Sequence, residues 1–218
     1  MLCVGGLALA ACGGNAQHTP EPPPPGQNSL KPLPPVSVLP TTQLAGQTVA
    51  VLPLTLVVAD PELAADTGYA DYREHRAGLL RADSLLGEGF LTRSPEVHWI
   101  LPPELRKMSR RAAGFVGDPD QMGQAVLRVP KLTKVPDPLR SSLRNLVALT
   151  EGRLALVPAS VGFGPEPDGE IRADLTLVLV DARNGNVAWR SVAYGRGHSP
   201  DQALTAALAA VLPSSTGP

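Results

Sequence analysis

The sequence predicts an α/β fold in which a small mixed β-sheet is flanked by helices and preceded by a disordered Pro-rich tether. Apolar, β-branched runs alternate with segments of helical periodicity, as expected for helices packed on a sheet. Two alternating strands flank Asn184-Gly185, a dipeptide typical of hairpin turns. Proline is concentrated between Thr19 and Pro40, where it excludes helix and favours polyproline II.

The first strand is predicted at residues 48–58, a continuous apolar run typical of a strand buried on both faces. Pro53 lies inside this run and indicates a bulge or a strand end. Residues 59–71 are acidic and are interpreted as a loop. A helix is predicted from about residue 72 to 91, although its three glycines weaken it.

A short second strand is predicted at residues 97–100. The next helix begins at Pro102, and apolar residues at helical spacing extend it as far as Phe115. The segment 116–135 has little pattern, apart from one short helical turn that Asp118 is placed to cap. The Asp137-Pro138 pair then predicts the start of a helix that ends near Gly152.

The last part of the chain has the clearest pattern. A strand at residues 154–163 precedes the hairpin, whose strands are expected at 171–179 and 187–194. Ser199-Pro200-Asp201-Gln202 is a capping box at the start of the last helix. Its apolar face, which includes Leu204 and Leu208, is expected to pack on the hairpin. The short Gly-rich sequences at 162–164 and 195–197 are interpreted as turns.

The N-terminus resembles a targeting signal for export. Residues 4–11 form a short apolar run that ends in Leu9-Ala10-Ala11-Cys12, which resembles the bacterial lipobox. Cys12 is therefore the expected site of lipidation, including palmitate, in an outer-membrane lipoprotein that faces the periplasm. Since no basic residue precedes Cys12, we expect the true start to lie upstream. Both cysteines lie in the first twelve residues, which excludes disulfides or a thiol nucleophile in the domain.

These signals divide the chain into four parts. We expect a signal peptide at 1–11, the lipidated cysteine and linker at 12–45, one α/β domain at 46–213 and a disordered tail at 214–218. The linker is interpreted as a spacer that holds the domain away from a membrane. A second interpretation remains open, because residues 22–25 contain the PxxP pattern of a ligand for polyproline-binding modules.

The order of motifs points to a family resemblance. The strand Val49-Ala50-Val51-Leu52-Pro53 is followed by a helix and a short strand. A later helix leads into Leu154-Ala155-Leu156-Val157-Pro158, then the hairpin Asp181-x-x-Asn184-Gly185-x-Val187-x-Trp189. This pattern, closed by an amphipathic helix, resembles the α/β domain shared by the TolB N-terminal domain, the lipoprotein activators of penicillin-binding proteins and the curli secretion lipoprotein.

The resemblance covers about residues 46–213 and implies a small mixed sheet flanked by helices. The two lipoprotein families named are outer-membrane proteins with flexible N-terminal segments. These domains act through surfaces and have no catalytic motif, so the resemblance assigns no functional residue here. The alternating membrane-inserting hairpins of the curli lipoprotein have no counterpart in this sequence.

No catalytic or metal-binding pattern is evident. The histidines are widely separated, the serines lack a nucleophile-elbow context, and the acidic loop lacks the register of a calcium site. We expect no cofactor and no metal. With a net charge of −1, neither nucleic acid nor anionic lipid is a predicted general partner.

One charged surface stands out as a candidate interaction site. Four basic residues form one helix face that could engage an acidic partner or a phospholipid headgroup: Arg106, Lys107, Arg110 and Arg111. A merely solvated face is the alternative. The leading hypothesis is a monomeric, non-enzymatic accessory lipoprotein that binds another envelope protein or a cell-wall component. The alternatives are an exported hydrolase of cell-wall or glycan material, or a small-ligand-binding lipoprotein.

Overall fold

A computed structural model describes residues 35–65 and 67–212. The expected signal peptide, Cys12, the linker as far as residue 34, and the tail all lie outside these ranges. The described residues confirm an α/β fold with a mixed β-sheet flanked by helices. No helix among them is both long enough and apolar enough to cross a membrane.

The sheet has six strands: β1 (Thr48–Val51), β2 (Val57–Ala59), β3 (His98–Ile100), β4 (Leu154–Pro165), β5 (Ile171–Asp181) and β6 (Asn186–Gly197). The order across the sheet is β3-β1-β4-β5-β6, and β2 pairs with the distal half of β4, beyond β1. β1 is parallel to both of its neighbours, whereas β4, β5 and β6 form an antiparallel meander. The mixed sheet therefore joins a parallel half to a long hairpin.

In the part of the chain that the structure describes, seven α-helices accompany the strands: α1 (Thr41–Leu44), α2 (Pro61–Ala64), α3 (Ala70–Arg73), α4 (His75–Arg93), α5 (Pro102–Arg111), α6 (Leu139–Ala148) and α7 (Pro200–Val211). Short 3-10 helices occupy Thr67–Tyr69, Pro119–Gln121 and Gln124–Arg128. α4 and α7 cover one side of the sheet and contribute Leu86, Phe90 and Leu208 to its core. α5, α6 and the segment around Leu127 cover the other side.

The first predicted strand is interrupted where Pro53 indicated a break. β1 ends at Val51 and β2 begins at Val57, so the run 48–58 is two short strands that contact different parts of β4. The backbone N–H of Leu54, in the interruption, donates to Oδ1 of Asp83 on α4 at 2.8 Å. A buried carboxylate thus takes the place of a neighbouring strand as acceptor.

Local signals near the C-terminus are confirmed. Gly185 has φ +79° in the turn between β5 and β6, as an Asn-Gly hairpin requires. Oγ of Ser199 accepts a hydrogen bond from the backbone N–H of Gln202 at the start of α7. Leu204 and Leu208 are buried in the core cluster that contains the apolar face of β5.

Several expectations are corrected. Much of the supposed loop 59–71 is helical, because Asp60 caps α2 by accepting a hydrogen bond from the N–H of Glu62. α4 begins at His75 and not at 72, since Glu74 is extended and caps it. Phe115 lies beyond the end of α5 and is 86% exposed. The Gly-rich sequences 162–164 and 195–197 lie within β4 and β6 and are not turns.

The expected domain start at residue 46 is also corrected. Leu39 is buried, and its backbone N–H donates to the carbonyl oxygen of Val211 at 2.8 Å. Ser37 joins β6 through two hydrogen bonds, from its own N–H to Oγ of Ser191 and from Nε1 of Trp189 to its Oγ. Residues 35–45 therefore belong to the folded domain.

Candidate functional site

The sheet topology identifies one place where a binding site is expected. The connection from β1 to β3 runs through α4 on one side of the sheet, and the connection from β3 to β4 runs through α5 and α6 on the other. In open α/β sheets, ligands bind outside the carboxyl ends of the parallel strands where the chain changes side. That point here is the end of β1, between α4 and α5.

A groove of about 720 Å³ occupies this position and is called the α4–α5 groove. It is lined by α4 on one wall, by α5 on the other and by the loop after α5: His75, Arg76, Leu79, Leu80, Arg106, Ser109, Arg110, Ala113, Gly114, Val116, Asp118, Pro119, Asp120 and Gln121. Val116 and Pro119 are buried, whereas Leu80 keeps 47% of its surface exposed. The groove thus combines an unburied leucine with cationic side chains.

A network of ion pairs holds the two walls together. Nη2 of Arg106 on α5 donates to Oδ2 of Asp83 on α4 at 2.9 Å and to Oδ1 of Asp120 at 2.7 Å. Nε of Arg106 donates to the other oxygen of Asp120 at 2.8 Å. Since Asp83 also accepts from Leu54, Arg106 joins α4, α5, the end of β1 and the 3-10 helix at Asp120.

Burial dominates the electrostatics of this network. The Asp83 side chain is only 5% exposed, and burial raises the pKa of its carboxyl to about 6, although the Leu54 N–H and Arg106 both favour the ionised form. Arg106 holds the pKa of the more exposed Asp120 below its usual value. The two carboxylates raise the pKa of Arg106 further, so it stays charged.

The four predicted interaction residues separate into two pairs. Arg106 and Arg110 line the groove, whereas Lys107 and Arg111 lie on α5 outside it. The charge of Arg106 is already matched within the molecule. Among the residues that the structure describes, Arg110 forms no ion pair, and neither does Arg76 on the opposite wall. The groove therefore has one arginine without an ion pair on each wall, together with the carboxylate of Asp118 in the loop after α5.

Sequence reasoning did not single out Arg76, Leu80 or Asp83. A signal existed for Asp83, because it follows Leu79 by four positions and precedes Leu86 by three, on the apolar side of α4. A carboxylate in such a stripe is buried and needs a partner. Arg76 and Leu80 carry no comparable local signal, because their role depends on where α5 packs.

The other chemical candidates do not converge. His75 lines the groove, while His98 begins β3 and His198 precedes α7. Across 35–65 and 67–212, no group of three or more His, Cys, Asp or Glu side chains could hold a metal ion. Ser199 is used as a helix cap.

Comparisons with known proteins give only distant structural likenesses. No family model matches the sequence, and no curated protein matches it. Among solved structures, the chain is similar to the LpoB C-terminal domain from Salmonella enterica, with 12% identity, a TM-score of 0.37, and coverage of 71% of this chain and 84% of that chain.

A PelC dodecamer structure from Paraburkholderia phytofirmans is 16% identical, with a TM-score of 0.38, over 82% of this chain and 90% of that chain. Lipoprotein GNA1162 from Neisseria meningitidis is 14% identical, with a TM-score of 0.33, over 70% of this chain and 81% of that one. None of these likenesses identifies a family for this chain.

Proposed function

We propose that this chain is a lipid-anchored, non-enzymatic accessory protein of the bacterial envelope, and that it binds another envelope protein through the α4–α5 groove. The observation that carries the docking proposal is the groove itself, in which Leu80 lies beside two unpaired arginines on opposite walls. The lipobox-like sequence before Cys12 and the Pro-rich segment behind it support the anchor and the tether.

The chemistry of the groove favours binding over catalysis. A hydrolase would need carboxylates free to exchange protons with a substrate. Asp83 and Asp120 instead both form ion pairs with Arg106, and Asp83 also accepts a hydrogen bond from the N–H of Leu54. These two carboxylates fix the walls of the groove, and the carboxylate of Asp118 caps the 3-10 helix Pro119–Gln121 by accepting from the N–H of Asp120. A partner segment with one acidic side chain and one apolar side chain would match Leu80 and the two arginines that form no ion pair, Arg76 and Arg110.

A photo-crosslinking amino acid at position 80 of the full chain, in the native cell, tests this docking surface. We expect it to capture one discrete envelope protein, identified by mass spectrometry. Position 91 is the matched control, because Leu91 is also on α4 and is 53% exposed but lies outside the groove. Equal capture at both positions would show that the groove is not the contact surface.

Charge reversal adds a second readout to the same experiment. Arg110→Glu places a carboxylate opposite the expected acidic group, and we expect the yield at position 80 to fall by about tenfold, the effect of about 1.4 kcal/mol. Lys107→Glu also reverses one positive charge on the same helix, but outside the groove, and should leave the yield within about twofold. If both substitutions act equally, net charge and not the groove controls binding.

The anchor is tested separately by Cys12→Ser. Each buried CH₂ of an acyl chain contributes about 0.8 kcal/mol, and two chains give stable attachment. We therefore expect the variant to be lost from the membrane fraction after a high-salt wash, whereas the parent chain stays there. Cys3→Ser is the matched control and should behave as the parent. Retention of the Cys12→Ser variant on washed membranes would refute the lipoprotein assignment.

A further inference from the structure

Arg190, near the middle of β6, has hydrogen-bond donors that the described residues do not use. Its Nη1 donates to the carbonyl oxygen of Leu127 at 2.7 Å. Its Nε and Nη2 are buried and have no hydrogen-bond partner in the described part of the chain. Burial lowers the pKa of Arg190, because the charged guanidinium has lost part of its contact with water. Two buried donors of a charged group without an acceptor are unfavourable, and an acceptor supplied by a ligand would stabilise them.

The other arginines in strands β5 and β6, Arg172 and Arg196, show what Arg190 lacks. Nε of Arg172 lies 2.9 Å from Oδ1 of Asp174, and its Nη1 lies 3.2 Å from Oε1 of Glu166. Nη2 of Arg196, on the same strand as Arg190, lies 3.0 Å from Oε2 of Glu166. Within the described ranges, no carboxylate forms an ion pair with Arg190. Among the arginines within β5 and β6, Arg190 is thus the one without a carboxylate partner.

The segment that packs beside Arg190 adds positive charge. Residues 121–135 contain Arg128, Lys131 and Lys134 and no acidic residue. The segment is joined to the hairpin by hydrogen bonds from the N–H of Val187 to the carbonyl of Thr133 and from the N–H of Val135 to the carbonyl of Gly185. β6 also contains no acidic residue. Neither this segment nor β6 therefore supplies a carboxylate to Arg190.

The donors of Arg128 are directed inward. Its Nε donates to the carbonyl oxygen of Ala159 at 2.9 Å, and its Nη2 donates to Oγ1 of Thr55 at 3.3 Å. Because both acceptors are neutral, they do not balance the positive charge of Arg128. Two arginines are therefore associated with the C-terminal end of the 3-10 helix Gln124–Arg128: Arg128 is its last residue, and Arg190 is bound to the carbonyl oxygen of Leu127.

We propose that this region is a binding site for a phosphate group, with the Nε–Nη2 edge of Arg190 as its anchor. Those two N–H groups point in the same direction and match two oxygens of one oxyanion. A phosphate suits the site better than a single carboxylate, because Arg128 adds a second positive charge next to Leu127, whose carbonyl oxygen binds Arg190. Arg190 as a whole is only half-buried, although Nε and Nη2 are themselves buried, so binding requires the side chain to move.

Thermal melting of the full chain in detergent, with inorganic phosphate or with sodium chloride at equal ionic strength, tests this site. We expect phosphate to raise the Tm by about 2–5 °C more than chloride does. Arg190→Gln should lose this difference. Arg196→Gln, the same change on the same strand at an arginine that already has a carboxylate partner, should keep it. An equal response of the Arg190→Gln variant, or none in the parent, would overturn the proposal.

A direct readout avoids dependence on the fold of the variant. In the ¹⁵N-arginine-labelled parent chain, the Nε–H resonance of Arg190 should shift on addition of phosphate and not on addition of chloride. Arg190→Lys, which keeps the charge but removes the paired donors, assigns that resonance by its loss. An Arg190 signal that phosphate does not move would contradict the proposal.

Flotation with vesicles distinguishes the source of the phosphate group. The full chain with Cys12→Ser, which removes the expected lipid anchor, is mixed with phosphatidylglycerol vesicles. Flotation that Arg190→Gln abolishes, together with the phosphate-dependent melting, indicates a phospholipid headgroup. A melting response without flotation indicates a small phosphate ligand. If neither response occurs, the site does not bind phosphate.

Discussion

Leu208→Ala is expected to destabilise the domain by about 2–5 kcal/mol, a large part of the stability of a typical domain. Leu208 on α7 is 2% exposed and packs in the core cluster that contains Leu175 and Leu177 of β5. Truncation removes a buried side chain and leaves a cavity. Urea denaturation followed by the fluorescence of Trp99 and Trp189 would measure the loss.

The close approach of α4 to α7 makes the higher end of this range the expected result. A Cβ on Gly89 would lie 2.2 Å from Cδ2 of Leu208, so the leucine fills the space that the glycine leaves. Glycine has no side chain with which to fill the cavity. Thr205→Ala, on the exposed side of α7, should cost less than about 0.5 kcal/mol. If the two variants unfold at the same urea concentration, α7 does not stabilise the core.

The elements that the sequence predicted best carry short-range signals. The hairpin of β5 and β6 has Asn184-Gly185 at its turn and alternating residues in its strands, and α7 has its own capping box. In both cases the residues that determine the structure lie within a few positions of each other. The break at Pro53 was predictable for the same reason, because proline cannot donate to a neighbouring strand.

The errors arose where distant contacts decide the structure. The glycine at 195 suggested a turn, yet it lies within β6. A glycine is needed there because α7 packs closely, and a Cβ would come within 2.1 Å of the backbone nitrogen of Ala207. Phe115 continued the apolar spacing of α5, but the helix ends at Arg111. The N-terminal boundary was placed too late, since the burial of Leu39 depends on contact with α7.

The candidate site was only partly predictable. The basic character of α5 is visible in the sequence, but which of its arginines is free depends on contacts with residues far away in the chain. Arg106 meets Asp83, 23 positions earlier, and Asp120, 14 positions later. Arg76 and Arg110 become neighbours of one groove only because α4 and α5 meet at the end of β1. Periodicity within one helix cannot supply that information.

Arg106→Ala is expected to destabilise the domain by about 3–5 kcal/mol at pH 8, because it leaves Asp83 buried without its charged partner. The remaining contact of Asp83 is the N–H of Leu54. Asp120 is more exposed and contributes less to this penalty. Lys107→Ala, next to it on α5 in a solvent-exposed pair, should cost less than about 1 kcal/mol. Urea melts of both variants at pH 8 make this comparison.

The pH dependence of the stability of Arg106→Ala tests whether the buried carboxylate of Asp83 causes the loss of stability. Burial already raises the pKa of Asp83 to about 6 in the folded parent, above the ordinary value of 3.8. The folded state therefore binds this proton more readily than the unfolded state, and the stability that the proton contributes is lost as the pH rises through about 6. Removal of Arg106 raises this pKa further. We expect the defect of Arg106→Ala to be smaller at pH 5 than at pH 8.

Asp83→Asn separates the buried charge from the other effects of removing Arg106. The amide oxygen that this substitution introduces can still accept the N–H of Leu54, but the side chain carries no charge that needs a partner. The double variant Asp83→Asn, Arg106→Ala should therefore recover a large part of the stability that Arg106→Ala alone loses, and its stability should depend less on pH between about 5 and 8. If Arg106→Ala is as stable as the parent at pH 8, Arg106 does not hold the walls of the groove, and its earlier interpretation as a free interaction residue would be restored.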